Sequence, residues 1–257
     1  DEDSLSDRLN AKSAVKPLDA AVIRLPHISN FTDFMPLEQH ELLGVRYVQR
    51  ARELKQPDMV ILPGTKNTME DLLWLRQSGL EAAVQKLAQA GVPILGVCGG
   101  YQMLGQALDD SQGMESGHGM TLAGMGLLPT KTIFDRQKQR MQVRAVAQSG
   151  PFAGAALEGY EIHNGQTRVD GAPFCVMPDG TPEGCVNGNV FGTYLHGLFD
   201  SGELTAKLAA FLCARKGIDM TQTKLKSMEE YRQEQFDLLA DGVRKALDME
   251  AVYRSLG

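Results

Sequence analysis

The chain has 257 residues, 43% of them hydrophobic, and 26 Lys and Arg against 32 Asp and Glu give it a formal charge of −6. That length suffices for a sizeable buried core, and the dispersed basic residues exclude a phosphate-neutralising nucleic-acid face. The longest apolar runs, such as Val92 to Val97, fall far short of the roughly 20 residues that span a bilayer, so no membrane partner is expected.

Residues 1–19 are polar and aperiodic, which predicts a linker rather than a domain. Their acidic start, Asp1-Glu2-Asp3, is unlike a secretory signal. The four cysteines, Cys98, Cys175, Cys185 and Cys213, lack CxxC spacing, so a reducing, cytoplasmic setting is the simpler expectation. From Ala20 onward short buried-strand signals recur at α/β spacing, at Ala20 to Leu25, Gly44 to Val48 and Met59 to Leu62. Pro63-Gly64-Thr65 then turns the chain, and Asn67 or Thr68 can cap a helix with Glu70 and Asp71 in its first turn. Gly79 interrupts that helix, Leu80 to Gln89 resumes it, and Gly91 ends it. Val92 to Val97 reads as a central parallel strand with Pro93 at its very start, where a missing donor does least harm.

This alternation predicts a three-layer α/β sandwich with a mostly parallel sheet. Beyond Thr121 the sequence is strand-rich, with candidates at Met141 to Ala147, Gly159 to His163, Phe174 to Met177 and Val190 to Tyr194. Lys131, Arg136, Lys138, Arg140 and Arg144 fall on a predicted strand, loop and strand, where a solvated hairpin and an anion site are both open readings. Helices are expected at about Glu203 to Arg215 and Ser227 to Leu256.

The sharpest local signal is Gly96-Val97-Cys98-Gly99-Gly100-Tyr101-Gln102, a cysteine between a buried strand and a helix starting near Gly99. Glycines two before and two after permit the tight, strained elbow that lifts a nucleophile above a sheet. The helix start favours a thiolate and offers N–H groups to an oxyanion. A small buried apolar cysteine in a glycine-rich turn is the alternative. A cysteine nucleophile needs a base, and of the five histidines His196 lies at the end of a strand signal, where parallel sheets place their functional edge. His163 competes for the role. His27 reads as a loop residue.

Five ordered blocks carry a family resemblance: Leu-Pro-His-Ile-Ser-Asn-Phe-Thr-Asp-Phe at 25–34, Leu-Pro-Gly-Thr-Lys-Asn-Thr at 62–68, the Cys98 elbow, Gly-Tyr-Glu-Ile-His at 159–163 and Gly-Thr-Tyr-Leu-His-Gly at 192–197. From about Ala20 to the last helix the chain resembles the glutaminase domains of the cobyric acid synthase family, which are class I, triad-type glutamine amidotransferases. The resemblance implies that residues 20–257 form one amidotransferase domain. In it Cys98 attacks the glutamine side-chain amide to give a γ-glutamyl thioester and ammonia, and His196 serves as general acid and base. The backbone at Gly64 or Thr65, with the N–H of Gly99, would form the oxyanion hole, and Gln102 would help hold glutamine. A plain strand-to-helix turn is the other reading of Gly64-Thr65.

Two departures from the family pattern stand out. Triad-type enzymes carry a glutamate two residues after the histidine, whereas this chain has Leu198. Glu161 is a conceivable substitute, beside a structural or glutamine-binding role for it. Full-length members also carry an ATP-binding synthetase domain, and no GxxxxGK[ST] phosphate loop occurs in this sequence. ATP and Mg are therefore expected in a separate N-terminal half, with no cofactor or metal in this chain, and the corrinoid acid is expected at that half. The implied function is ammonia supply for amidating peripheral carboxylates of adenosylcobyrinic acid a,c-diamide. The glutaminase half of an a,c-diamide synthase or of a muropeptide amidating ligase would share this chemistry. A cysteine hydrolase of γ-glutamyl or peptide bonds and a non-catalytic binding module remain as other classes.

Overall fold

The computed structural model describes residues 16–219, 228–247 and 254, and the chain divides into two compact units after Gln222.

In the first unit β1 (Leu18–Ile23) leads to a 3-10 turn at Phe31–Phe34 and the short helix α1 (Met35–Gln39). β2 (Leu43–Val48), α2 (Ala51–Leu54) and β3 (Met59–Leu62) follow. The first strand starts at Leu18, which is fully buried and pairs with Leu43, so the sheet takes in the last two residues of the expected linker. Helices α3 (Thr68–Gln77) and α4 (Leu80–Gln89) are separated by Gly79, whose φ of 74° needs no Cβ to be accommodated. Asn67, not Thr68, caps α3, its side chain accepting from the Glu70 N–H.

β4 (Ile94–Val97) is buried along its whole length, and Pro93 stays just outside it, offering only its carbonyl to the Val60 N–H. The elbow helix α5 (Gly99–Leu104) comes next. A second, largely antiparallel sheet is then built from β5 (Ala107–Asp110), β6 (Met120–Ala123), β7 (Thr130–Ala147), β8 (Ala156–Val169), β9 (Cys175–Val176) and β10 (Pro182–Glu183). The chain returns to the first sheet with β11 (Cys185–Asn187) and β12 (Val190–Thr193), and β13 (Leu195–His196) joins the second. The first sheet has the order β11-β12-β4-β3-β1-β2, parallel throughout except for β11 at its edge.

The expected strand, loop and strand over Lys131 to Arg144 is a single long strand, β7, with a register shift between Ile133 and Lys138. Its partner β8 alternates buried and exposed positions. A hairpin with one solvated face carries polar residues at every second position, so an apolar run sees only part of it. Helix α6 (Glu203–Lys216) ends at Gly217, in the left-handed region. Helix α7 (Met228–Ala246) belongs to the second unit; apart from Leu247 and Arg254, the rest of the helix expected over Ser227 to Leu256 lies outside the described residues.

The parallel register sets Leu62 level with Gly96 and Gly192, so that β3, β4 and β12 all end at one edge of the first sheet. That is the carboxyl-end edge where open α/β sheets hold their sites, and the residues singled out in the sequence converge there.

Candidate active site

β4 delivers Cys98 at φ 52° and ψ −112°, and its N–H donates to Thr193 O at 2.8 Å, clamping the turn to β12. A non-glycine residue held in this region costs of order 1–3 kcal/mol, so surrounding structure must hold it there. Gly96 and Gly100 provide that hold by close approach. A Cβ on Gly100 would stand 2.0 Å from Leu62 O, and one on Gly96 would stand 2.8 Å from Gly100 O. The glycines let the helix press onto two strand ends, and the strained dihedral falls on the cysteine itself.

His196 is fully buried beside this elbow. Its Nδ1 lies 2.6 Å from Asp33 Oδ2, and the other Asp33 oxygen accepts from the Gly197 N–H at 3.1 Å. The carboxylate is therefore anchored to the residue after the histidine it orients. Burial pulls the imidazole pKa down, but hydrogen bonds to Asp33 and to the Cys98 sulfur, with the charges of both, outweigh it and raise it to about 9. Tyr160 stacks on the imidazole with centroids 5.3 Å apart. The Asn30 amide nitrogen, 3.1–3.2 Å from both ring nitrogens, also rests against it. Such a row can move a proton from the thiol to the imidazole while Asp33 fixes the tautomer.

Asp33 was not among the residues singled out as site candidates, although its segment was. Glu161, the substitute considered for the third position, is placed elsewhere. On β8 it pairs with Leu195, its carboxylate points away from His196, and its Oε2 stands 3.7 Å from His163 Nε2. The position opposite His196 is occupied by Tyr160. Strand alternation explains the difference, since neighbours on a strand face opposite ways. His163 is held by Gly165 O at 3.1 Å and by stacking on Tyr194 at 3.6 Å. It lines the same pocket, but it is the His196 imidazole whose pKa the Cys98 sulfur helps to raise, while the thiol itself donates to Ile162 O at 3.6 Å. His27 is a loop residue as expected, its Nδ1 2.8 Å from Asp71 Oδ1.

Gly64 faces both reacting side chains: a Cβ there would lie 3.0 Å from His196 Cε1 and 3.6 Å from Cys98 Cβ. A Cβ on Gly99 would lie 3.3 Å from the Thr65 backbone nitrogen, so the two segments expected to form an oxyanion hole are adjacent. The start of α5 leaves the Gly99 N–H without an intrahelical acceptor. Gln102, 3% exposed, gives its amide hydrogens to Asn164 O and the Tyr194 hydroxyl, and its Oε1 accepts from Thr68. It is a fixed wall of the pocket, with one lone pair on Oε1 to spare.

The cavity over Cys98 is about 310 Å³ and includes Lys66, Glu115 and His163 among its lining. Glu115 accepts from the Thr68 N–H through Oε1, while its buried Oε2 has no partner. Burial, partly offset by hydrogen bonds from the Thr68 and Met69 segment, raises its pKa. An uncompensated carboxylate oxygen in a pocket attracts an ammonium group.

With this geometry, residues 19–204 match the CobB/CobQ-like glutamine amidotransferase domain family. The chain belongs to that family. As a CobB/CobQ-like glutamine amidotransferase domain, it is 43% identical to a cobyric acid synthase of Ruminiclostridium cellulolyticum, over 99% of this chain and 52% of that protein. It is 42% identical to a cobyric acid synthase of Lachnoclostridium phytofermentans, over 99% of this chain and 53% of that protein. The chain thus spans about half the length of the curated relatives it matches. Among solved structures, PurLQS from Thermotoga maritima is similar, with a TM-score of 0.59 and 20% identity over 77% of this chain and 100% of that one. A glutamine amidotransferase crystal structure is similar with a TM-score of 0.57 and 18% identity, over 77% of this chain and 99% of that one. These two support the fold. No helix among the described residues is long and apolar enough to cross a membrane.

Proposed function

We propose that this domain is the glutaminase half of a cobyric acid synthase, releasing ammonia from glutamine for ATP-dependent amidation of peripheral carboxylates of adenosylcobyrinic acid a,c-diamide. The observation that carries the reading is the row Asp33, His196, Cys98 at the foot of a cavity bounded by an orphaned carboxylate oxygen of Glu115.

In this reading His196 already holds the proton given up by Cys98, and the sulfur attacks the glutamine γ-carboxamide carbon as the thiolate of that pair. The oxyanion that forms is held by the Gly99 N–H and by the backbone at Gly64 or Thr65. His196 returns the proton to nitrogen, ammonia leaves, and a γ-glutamyl thioester remains on Cys98. Water then attacks with His196 as base, and glutamate departs. Glu115 takes the substrate α-ammonium, Lys66 the α-carboxylate, and Gln102 one hydrogen bond from the amide.

The synthetase half, with ATP and Mg, and the corrinoid acid are the partners, in keeping with relatives about twice this length. Ammonia released without an acceptor is wasted, so the domain alone is expected to turn over slowly until docking completes the Gly64–Thr65 segment. The test compares glutamate release by this chain alone and with the ATP-binding half, ATP and the corrinoid acid present. A rise of at least tenfold is expected. Equal rates would remove control by docking, and corrinoid amidation by the chain alone would overturn the reading of half an enzyme.

A further inference from the structure

A second cavity of about 310 Å³ lies behind the glutamine pocket, and the two share a wall. Gln102 lines the first and donates to the hydroxyl of Tyr194, which lines the second. We propose that this rear cavity binds a small monovalent cation of ammonium or potassium size, with Glu161 and Glu183 supplying the charge and Tyr101, Tyr194 and Thr167 the neutral oxygens.

The lining holds three carboxylates, Glu161, Asp179 and Glu183, and no Lys, Arg or His. Two of its buried polar atoms have no partner, Glu161 Oε1 and the Tyr101 hydroxyl, on residues 6% and 1% exposed. A buried anionic oxygen and a buried hydroxyl left empty-handed both incur the desolvation cost that an occupant would relieve. The nearest basic ring is His163, and it stands 3.7 Å from the other Glu161 oxygen, Oε2. Glu183 already accepts from Tyr194 N–H, Thr193 hydroxyl and Cys175 thiol, which fixes a second negative charge beside the first. Burial, against those hydrogen bonds and together with the charge of Glu161, pushes Glu183 up to about 7. The two carboxylates repel, and a cation between them removes that repulsion.

Size and charge select the occupant. Among the described residues no three His, Cys, Asp or Glu side chains converge tightly enough to grip a metal ion. A divalent ion, which wants six or more close oxygens or a rigid octahedron, is therefore poorly served. A singly charged ion that accepts long contacts to hydroxyls and keeps part of its water fits a cavity several times the roughly 30 Å³ of one water. Ammonium from glutamine hydrolysis and potassium from the surroundings present the same charge and similar size.

The test needs neither glutamine nor the ligase half, so its outcome is separable from the proposed glutaminase activity. Melting of the chain is followed at pH 8 while ammonium chloride or potassium chloride replaces N-methylglucamine chloride at constant ionic strength. A saturable rise of roughly 2–6 °C is expected at tenfold excess over the dissociation constant. Tyr101→Phe, which keeps the ring and removes the hydroxyl, should weaken the apparent affinity at least fivefold, and Glu161→Gln should abolish saturation. Tighter ammonium binding identifies the reaction product as occupant, and tighter potassium binding a resident ion. Identical melting in all three salts, or unchanged saturation in both variants, overturns the proposal. If Glu161→Gln does not fold, thallium-205 resonance on the unaltered chain decides: a bound signal displaced by potassium is expected, and its absence overturns the site.

Discussion

Replacing Asp33 with Asn removes one charge and leaves the shape of the site intact. In the native chain Asp33 Oδ2 faces His196 Nδ1 at 2.6 Å and Oδ1 accepts from the Gly197 N–H. An asparagine can keep only the second of these as an acceptor, so its NH₂ must point at Nδ1. The imidazole then carries its proton on the other nitrogen and cannot take one from Cys98. The lost charge-assisted hydrogen bond is worth about 2–3 kcal/mol, which at about 1.36 kcal/mol per decade gives a roughly 30- to 160-fold lower rate. The wrong tautomer adds to that loss. The assay is steady-state glutamate release by the Asp33→Asn chain with the synthetase half present, beside Glu161→Gln as the comparison. KM should change little, because neither variant alters the wall formed by Gln102 or the free oxygen of Glu115. A rate within threefold of the unaltered chain for Asp33→Asn, or a larger loss for Glu161→Gln, would refute the assignment of Asp33 to the histidine.

Gly100→Ala should destabilise the fold by about 3 kcal/mol or more, since its Cβ would meet Leu62 O at 2.0 Å and backbone must shift, as urea unfolding will measure. Gly64→Ala, 3.0 Å from His196 Cε1, should instead cost activity at least tenfold with about 1 kcal/mol or less of stability. Stability should fall as pH rises from 5 to 9. His196 is raised from 6.5 to about 9, so its contribution of about 3 kcal/mol is complete below pH 6.5 and is lost as pH climbs through 9. Glu183 is raised from 4.5 to about 7 by burial, so the folded state holds the proton more tightly and loses stability over that interval, by a further ~3 kcal/mol. Urea midpoints that increase from pH 5 to pH 9 would contradict both assignments.

The parallel sheet and the elbow were legible because both rest on local chemistry. A short apolar run such as Ile94 to Val97 between turn signals fits a central strand, and a cysteine flanked by spaced glycines fits an elbow as well as a buried apolar turn. The long β7–β8 hairpin was only half legible, because its solvated face puts polar residues at every second position. The third site residue was hidden for a different reason. Asp33 lies 163 residues before His196, and only the 3-10 turn at Phe31–Phe34 aims it across the sheet edge. A signal was nonetheless present: Asp33 is the sole acid in the segment from Leu25 to Phe34 that carried the resemblance. The orphaned oxygens of Glu115 and Glu161 were beyond reach, since burial without a partner is a property of packing and not of spacing.

The central claim is that one cysteine of four is a nucleophile aimed into a glutamine-sized cavity. Burial raises the thiol pKa of Cys213 and of Cys175 and pushes Cys185 up to about 11. The most direct measurement treats the intact chain with a chloroketone analogue of glutamine and maps the modified peptides by mass spectrometry. The account predicts stoichiometric modification at Cys98, blocked by excess glutamine. Modification at Cys175, Cys185 or Cys213 with Cys98 untouched would contradict it.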